Sequence, residues 1–222
     1  MIAFYITMLL AVAGEYFTAY PNESREAVKI FEKHRGELAS LLGDTGDDDV
    51  VIAFSIVAPE VSQYSALSDF FETAAVKDGY PSAGSPDYSI GLFQMKPSFA
   101  ESLETEVTKD SALKQKYGAR LAYGTDDIRK VRRQRVERLS DTGWQMLYLA
   151  VFVDVVKMRT ATWGLASSEE KVRCWSTLYN AGFYLSRERV RQRQGVKQFP
   201  RNAKRFNYSA VAVEFFNVLS GR

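Results

Sequence analysis

Cysteine and histidine are nearly absent: the 222 residues hold one of each, Cys174 and His34. A single thiol excludes an internal disulfide, and one Cys with one His excludes a zinc cluster built from those ligands. A Ser-His-Asp or Cys-His centre would have to use His34. That residue lies in the charged run Phe31-Glu32-Lys33-His34-Arg35 and has the setting of a solvated helix position. Neither a metal nor an organic cofactor is expected. Excess charge is also scarce, since 29 Lys and Arg against 27 Asp and Glu leave +2, too little to select a charged partner. Long apolar runs are missing as well. The stretch from Ile2 to Gly14 falls short of the roughly 20 residues that cross a bilayer. It has the length of a signal-peptide core, and Ala11-Val12-Ala13 fits the small-x-small cleavage rule, but no Lys or Arg precedes it. Export to the periplasm or cell envelope, with residues 1–13 as a signal peptide, is the expectation; an N-terminal helix packed on the domain is the alternative.

What is present is a 46% hydrophobic chain of a length suited to one domain with an appended subdomain. The pattern divides it into an N-terminal helical extension over 14–46 and a main domain over 47–222. Asn22-Glu23-Ser24 reads as a polar helix cap, followed by Val28, Phe31, Leu38, Leu41 and Leu42 at helical spacing up to Gly43. The run Val50-Val51-Ile52-Ala53-Phe54-Ser55-Ile56-Val57-Ala58-Pro59-Glu60-Val61 then ends on a single acid. Pro59 should kink or end this helix and leave Glu60 in its last turn. A carboxyl in apolar surroundings is disfavoured in its charged form and so remains a proton donor closer to neutral pH. Taken alone, a Glu after such a run more often simply faces solvent.

Ser65 to Lys77 reads as a helix, Asp78 to Asp87 as a Gly/Pro-rich loop, and Tyr88 to Met95 as a β-like segment; Pro97 then restarts a helix. From Phe99 onward the pattern is helical throughout. The arginine-rich stretch Thr125 to Leu139 reads as a solvated face, Trp144 to Met158 as a core helix, and Ser168 to Gly182 as a further helix. A second basic run, Arg187 to Gln194, leads through a Pro200 loop to a last helix from Tyr208 to Leu219. The expected class is mainly α (α+β).

Three stretches stand in an informative order: Pro59-Glu60, Ser89-Ile90-Gly91-Leu92-Phe93-Gln94-Met95 followed by Pro97, and Leu178-Tyr179-Asn180-Ala181-Gly182. Together they make the region from Val50 to Gly182 similar to the lysozyme-like lytic transglycosylases. Phe199-Pro200 followed by Asn207-Tyr208-Ser209 is a softer match. The resemblance implies a lysozyme-like helical domain with a small β-hairpin-like segment near the active site, and Glu60 as catalytic acid and base. It also implies that Ser89, Gly91, Gln94, Met95, Tyr179, Asn180 and Tyr208 bind a glycan. Strand amides, neutral hydrogen-bonding side chains and aromatic faces suit such a ligand. Three departures stand out. Val61 replaces the serine that follows the acid in many members, Phe93 replaces a methionine, and Glu60 lies 31 residues before Gly91.

Ordinary glycosidases flank the scissile bond with two carboxyls. Aligning Gly91 with the strand glycine of animal lysozymes puts Ser89 where their second acid lies. The resemblance therefore implies one Glu that protonates the glycosidic oxygen and then activates the muramoyl 6-hydroxyl, giving 1,6-anhydro ends. Asp78, Asp87 and Glu72 are reserve carboxylates for true hydrolysis. The alternatives are a muramidase or a non-catalytic glycan-binding protein. Peptidoglycan strands are the expected partner of a monomer with peripheral envelope association; nucleic acid is not expected.

Overall fold

The computed structural model describes residues 14–43, 46–64, 66–200 and 204–221. The expected signal segment 1–13 lies outside the described residues, as does the side chain of Glu72. The chain is mainly helical with one small antiparallel sheet. In order come α1 (Glu15–Ala19), α2 (Pro21–Leu42), α3 (Asp47–Gln63), α4 (Ala66–Ala83), α5 (Pro97–Lys109), α6 (Ser111–Leu121), α7 (Ile128–Leu139) and α8 (Thr142–Thr160). Then follow α9 (Ser168–Ala181), α10 (Arg187–Gln194), β1 (Lys197–Phe199), β2 (Phe206–Asn207) and α11 (Tyr208–Leu219). No described helix is long and apolar enough to cross a membrane.

The described residues form two compact units, cut elsewhere than at the 46/47 boundary read from the pattern. The first combines the chain up to Gln63 with the chain from Met158 onward, and the second is Tyr64–Lys157. In the first, α3 is the spine: it packs against α2, α9 and α11, and α9 also packs on α11. Every residue from Val50 to Ala58 is buried, so α3 has no solvent stripe over that span. Phe31 from α2 meets Phe54 with ring centroids 5.1 Å apart. Each fully buried aliphatic or aromatic side chain contributes about 1.5–3 kcal/mol. The ends of α9 are defined by a reciprocal Ser167–Glu170 capping box and by Gly182, the latter as its sequence predicts.

In the second unit α4 packs on α7, and α5 on α6 and α7. Met146 to Val153 of α8 are buried without interruption. Asp87 accepts hydrogen bonds from the backbone N–H of Ser98 at 2.9 Å and from its hydroxyl at 2.6 Å, capping the first turn of α5.

Five local expectations are corrected. Helix α2 begins on Pro21, so Asn22-Glu23-Ser24 lies inside its first turn rather than capping it. Proline has no N–H to lose at that position. Helix α3 is not ended by Pro59 but continues to Gln63, with Glu60 in its last turn as expected. The segment 78–83 is helix rather than loop, because Tyr80 and Pro81 are buried and the Tyr80 hydroxyl accepts from Arg135 at 3.3 Å; tertiary packing overrides the breaker. The β-like segment 88–95 is a single bridge between Ile90 and Met95 closing a tight turn. The sheet lies instead at β1 and β2, within a region read as helical apart from the Pro200 loop. There the Asn207 amide donates to the carbonyls of Gln194 and Val196, while its oxygen accepts from the N–H of Ala210 at the start of α11.

Candidate functional site

Glu60 lies in the turn of α3 that follows Pro59 and is half-buried. Three elements of the same unit bring phenols to it: Tyr16 from α1, Tyr179 from the end of α9 and Tyr208 from the start of α11. Burial is the main cause that holds all three phenols in their neutral form, and the Glu60 charge adds to it in each case. Tyr16 is pushed up to about 12, while Tyr179 and Tyr208 are raised well above the ordinary phenol value. One carboxylate thus sits among three aromatic hydroxyls that keep their protons at any physiological pH.

The hydroxyls also fix the turn that carries the acid. Pro59 lacks the N–H that would bond the Ser55 carbonyl, which loosens the helical ladder at this point. The Tyr208 hydroxyl donates to the neighbouring Ile56 carbonyl at 3.1 Å. Beyond the proline, a directed chain runs from Gln63 Nε2 to the Tyr16 hydroxyl at 2.8 Å, on to Ser62 Oγ at 2.6 Å, and from Ser62 to the Pro59 carbonyl at 2.7 Å. Ser62 is therefore the hydroxyl near the acid, one position later than the family pattern suggests, and it faces the backbone of its own helix. Val61 is buried in the core.

Tyr16 is itself anchored. Its N–H donates to the Glu214 carboxylate at 3.1 Å, and an added Cβ at Gly14 would lie 2.3 Å from Glu214 Cδ, so only glycine allows this approach. Its ring meets Phe206 edge-on at 5.3 Å, and Phe199 of β1 meets Tyr208 edge-on at 5.2 Å. The small sheet thus supplies the aromatic backing of the Glu60 turn.

Ser89, Gly91, Gln94 and Met95 belong to the second unit, in a turn whose Ile90 and Phe93 backbone is held by one side chain, Gln145 of α8. It is fully buried, accepts from the Phe93 N–H at 2.8 Å, and donates to the carbonyls of Ile90 and Leu139, both at 2.7 Å. The Gly91 N–H donates to the Asp69 carboxylate. Gly91 has φ +70, and a Cβ there would lie 2.1 Å from Gln145 Nε2, so the position requires glycine on both counts. Gln94, also left-handed with φ 52, turns its amide back to the Gly91 carbonyl at 2.8 Å. Ser89 and Gln94 are half-buried, and Met95 is core. Backbone donors expected to line a glycan cleft are thus engaged, those of Gly91 and Phe93 by Asp69 and Gln145 and those of Ile90, Gln94 and Met95 within the turn itself. Asn180 is exposed beside Tyr179.

None of the protein-family models, curated proteins or solved structures compared with this chain matches it.

Asp87 serves as the cap of α5, and Asp78 is exposed. Among the described residues no group of three or more His, Cys, Asp or Glu side chains is placed to hold a metal ion. Two surface concavities, of about 410 Å³ beside Gly14, Thr18 and Lys204 and about 530 Å³ beside Glu104, Tyr123 and Arg135, are lined by neither Glu60 nor Tyr179. Glu60 is the candidate centre because it is a half-buried carboxylate in the last turn of an apolar helix, at the position the motif resemblance singles out, whereas concavity alone marks no chemistry. Sequence reasoning missed Tyr16, Ser62 and Gln145. Only Gln145 left a trace, as a polar residue near the start of an otherwise apolar helix.

Proposed function

We propose that the protein is a peptidoglycan lytic transglycosylase that uses Glu60 as its single acid and base. The observation that carries this reading is the half-buried Glu60 in the last turn of α3, with the Tyr16 and Tyr208 hydroxyls bonded to that helix on either side of it and Tyr179 and Tyr208 at positions singled out by the motif resemblance. A half-buried carboxyl at a helix end can protonate a glycosidic oxygen. The same carboxylate then takes the proton of the muramoyl 6-hydroxyl as that oxygen closes on the anomeric carbon, leaving an anhydro ring and no need for an activated water. Tyr179 suits this cycle, because a neutral phenol can donate a hydrogen bond to the acid in its charged form without changing its own charge, while Tyr16 and Tyr208 give their protons to Ser62 and to the Ile56 carbonyl and hold the turn. The engagement of Asp87 with Ser98 and of Asp69 with Gly91 agrees with one working acid rather than two.

Purified protein incubated with peptidoglycan, with products read by mass spectrometry, tests the proposal. Anhydro-muramic ends that disappear in Glu60→Gln are expected. Reducible muramic ends would make the protein a muramidase instead, and glycan binding without turnover would make it a binding protein.

A further inference from the structure

The cations of this nearly neutral chain are not evenly spread. Between Arg187 and Arg205 there are eight Lys and Arg against the single Glu188, a local +7 in a chain whose total is +2, so the other 203 residues together carry −5. Four of the eight lie on the two-turn helix α10, at Arg187, Arg189, Arg191 and Arg193, and all four are exposed. Among the described residues no carboxylate forms an ion pair with any of them; Glu188 bonds Gln192 instead. Arg187 with Arg191, and Arg189 with Arg193, are like charges four residues apart, an arrangement that destabilises an isolated helix. The helix is nevertheless held in place by buried Val190 and by the Ser186 hydroxyl, which accepts from the Arg189 N–H at 3.3 Å. A rigid element that keeps four repelling guanidinia facing solvent is suited to an external anion.

We propose that this face docks on an anionic phospholipid bilayer. Guanidinium groups match phosphate oxygens in a planar, two-pronged fashion. The border of the patch is amphipathic rather than purely charged. Tyr184, three residues before Arg187, is half exposed and stacks on Phe183 at 4.2 Å, with the Arg159 guanidinium 5.1 Å from its ring; Met158 is half exposed beside Arg159. Basic residues beside an exposed aromatic and an exposed thioether form the composition that settles at a headgroup boundary. A nucleic-acid reader is the poorer fit. α10 is only about 12 Å long, is anchored through Val190, and carries its arginines along both flanks instead of on one edge that could enter a groove.

Cosedimentation of the full chain with phosphatidylcholine vesicles, with or without phosphatidylglycerol, tests the proposal. Binding is expected only with phosphatidylglycerol present, falling as ionic strength rises. Each arginine at the surface contributes about a fivefold change in affinity, so the double variant R189Q/R193Q should bind about 25-fold more weakly. Its far-ultraviolet circular dichroism and thermal unfolding should remain unchanged, because both side chains are exposed. Y184A should give a smaller loss that persists at high salt. Three results would overturn the proposal: no binding to the anionic vesicles, equal binding to neutral ones, or full affinity in the double variant. Tighter binding to a single- or double-stranded oligonucleotide than to the anionic vesicles would overturn it too, by assigning the face to nucleic acid. None of these readouts depends on glycan turnover, so this docking and the proposed activity stand or fall separately.

Discussion

Glu60 in the first compact unit and Glu104 in the second each lie among tyrosine phenols, and the chain gives the two carboxylates different company. Glu104 accepts from the hydroxyls of Tyr123 and of Tyr148, the latter at 2.6 Å, and from the Arg135 guanidinium at 2.6 and 3.0 Å. Arg135 is 3% exposed and also donates to Tyr80. A carboxylate with a buried counter-charge and several donors is a structural tie between α5, α7 and α8. At Glu60 the phenols are arranged otherwise. The Tyr16 hydroxyl bonds Ser62 and the Tyr208 hydroxyl bonds the backbone of α3, so those two shape the wall around the acid. Glu60 itself is half-buried, at the end of its helix. The contrast teaches that tyrosines around a glutamate do not mark a reactive site; what the hydroxyls and the nearest cation are bonded to decides.

The largest expected effect follows at Glu60. Glu60→Gln removes the proposed proton donor and should lower glycan turnover by about 10²–10⁴-fold while thermal unfolding changes little. At Glu104 the same exchange should do the reverse. Glu104→Gln leaves buried Arg135 with only the more exposed Glu101, at 3.5 Å, as counter-charge, and calorimetry or urea unfolding should report a loss of about 3 kcal/mol. Gly91→Ala should cost a similar amount, since the added methyl meets Gln145 and the left-handed backbone is unfavourable as well; hydrogen exchange at Phe93 would reveal the released N–H. Tyr16→Phe should cost about 1 kcal/mol, because it breaks the chain from Gln63 to Ser62 and leaves Ser62 with its bond to Pro59.

Alkaline unfolding sharpens the comparison further. The folded-state pKa of Tyr16, about 12, lies above the ordinary phenol value of 10, so the unfolded chain ionises first. The stability linked to this shift is fully present below pH 10 and is lost as pH rises from 10 to 12. Tyr123 in the second unit is also raised to about 12, chiefly by burial and then by Glu104. Tyr16→Phe should therefore flatten the alkaline loss only in part, as followed by circular dichroism across that range, and Tyr16→Phe combined with Tyr123→Phe should flatten it more.

Much of the helical architecture was legible because it rests on local periodicity and caps. The Gly43 and Gly182 helix ends and the Tyr208–Leu219 helix all follow from residues within a turn or two of one another. Glu60 was legible as an acid closing an apolar run, and motif order singled out Tyr179 and Tyr208, whose phenols feel its charge. What escaped were groups whose meaning depends on distant partners. Tyr16 and Ser62 lie 46 residues apart, Gln145 and Ile90 lie 55 apart, and Arg135 lies 31 from Glu104. In the pattern Arg135 belonged to a solvated arginine face, yet it is among the most buried polar side chains. The β1–β2 sheet escaped for the same reason: Phe199 and Phe206 are drawn there by Tyr16 and Tyr208 from other parts of the chain.

The account is tested most directly by measuring peptidoglycan turnover and thermal midpoint side by side in Glu60→Gln and Glu104→Gln. It predicts that the first variant keeps its midpoint and loses anhydro products, while the second loses its midpoint and, below that temperature, still releases them. Full turnover in Glu60→Gln would contradict it.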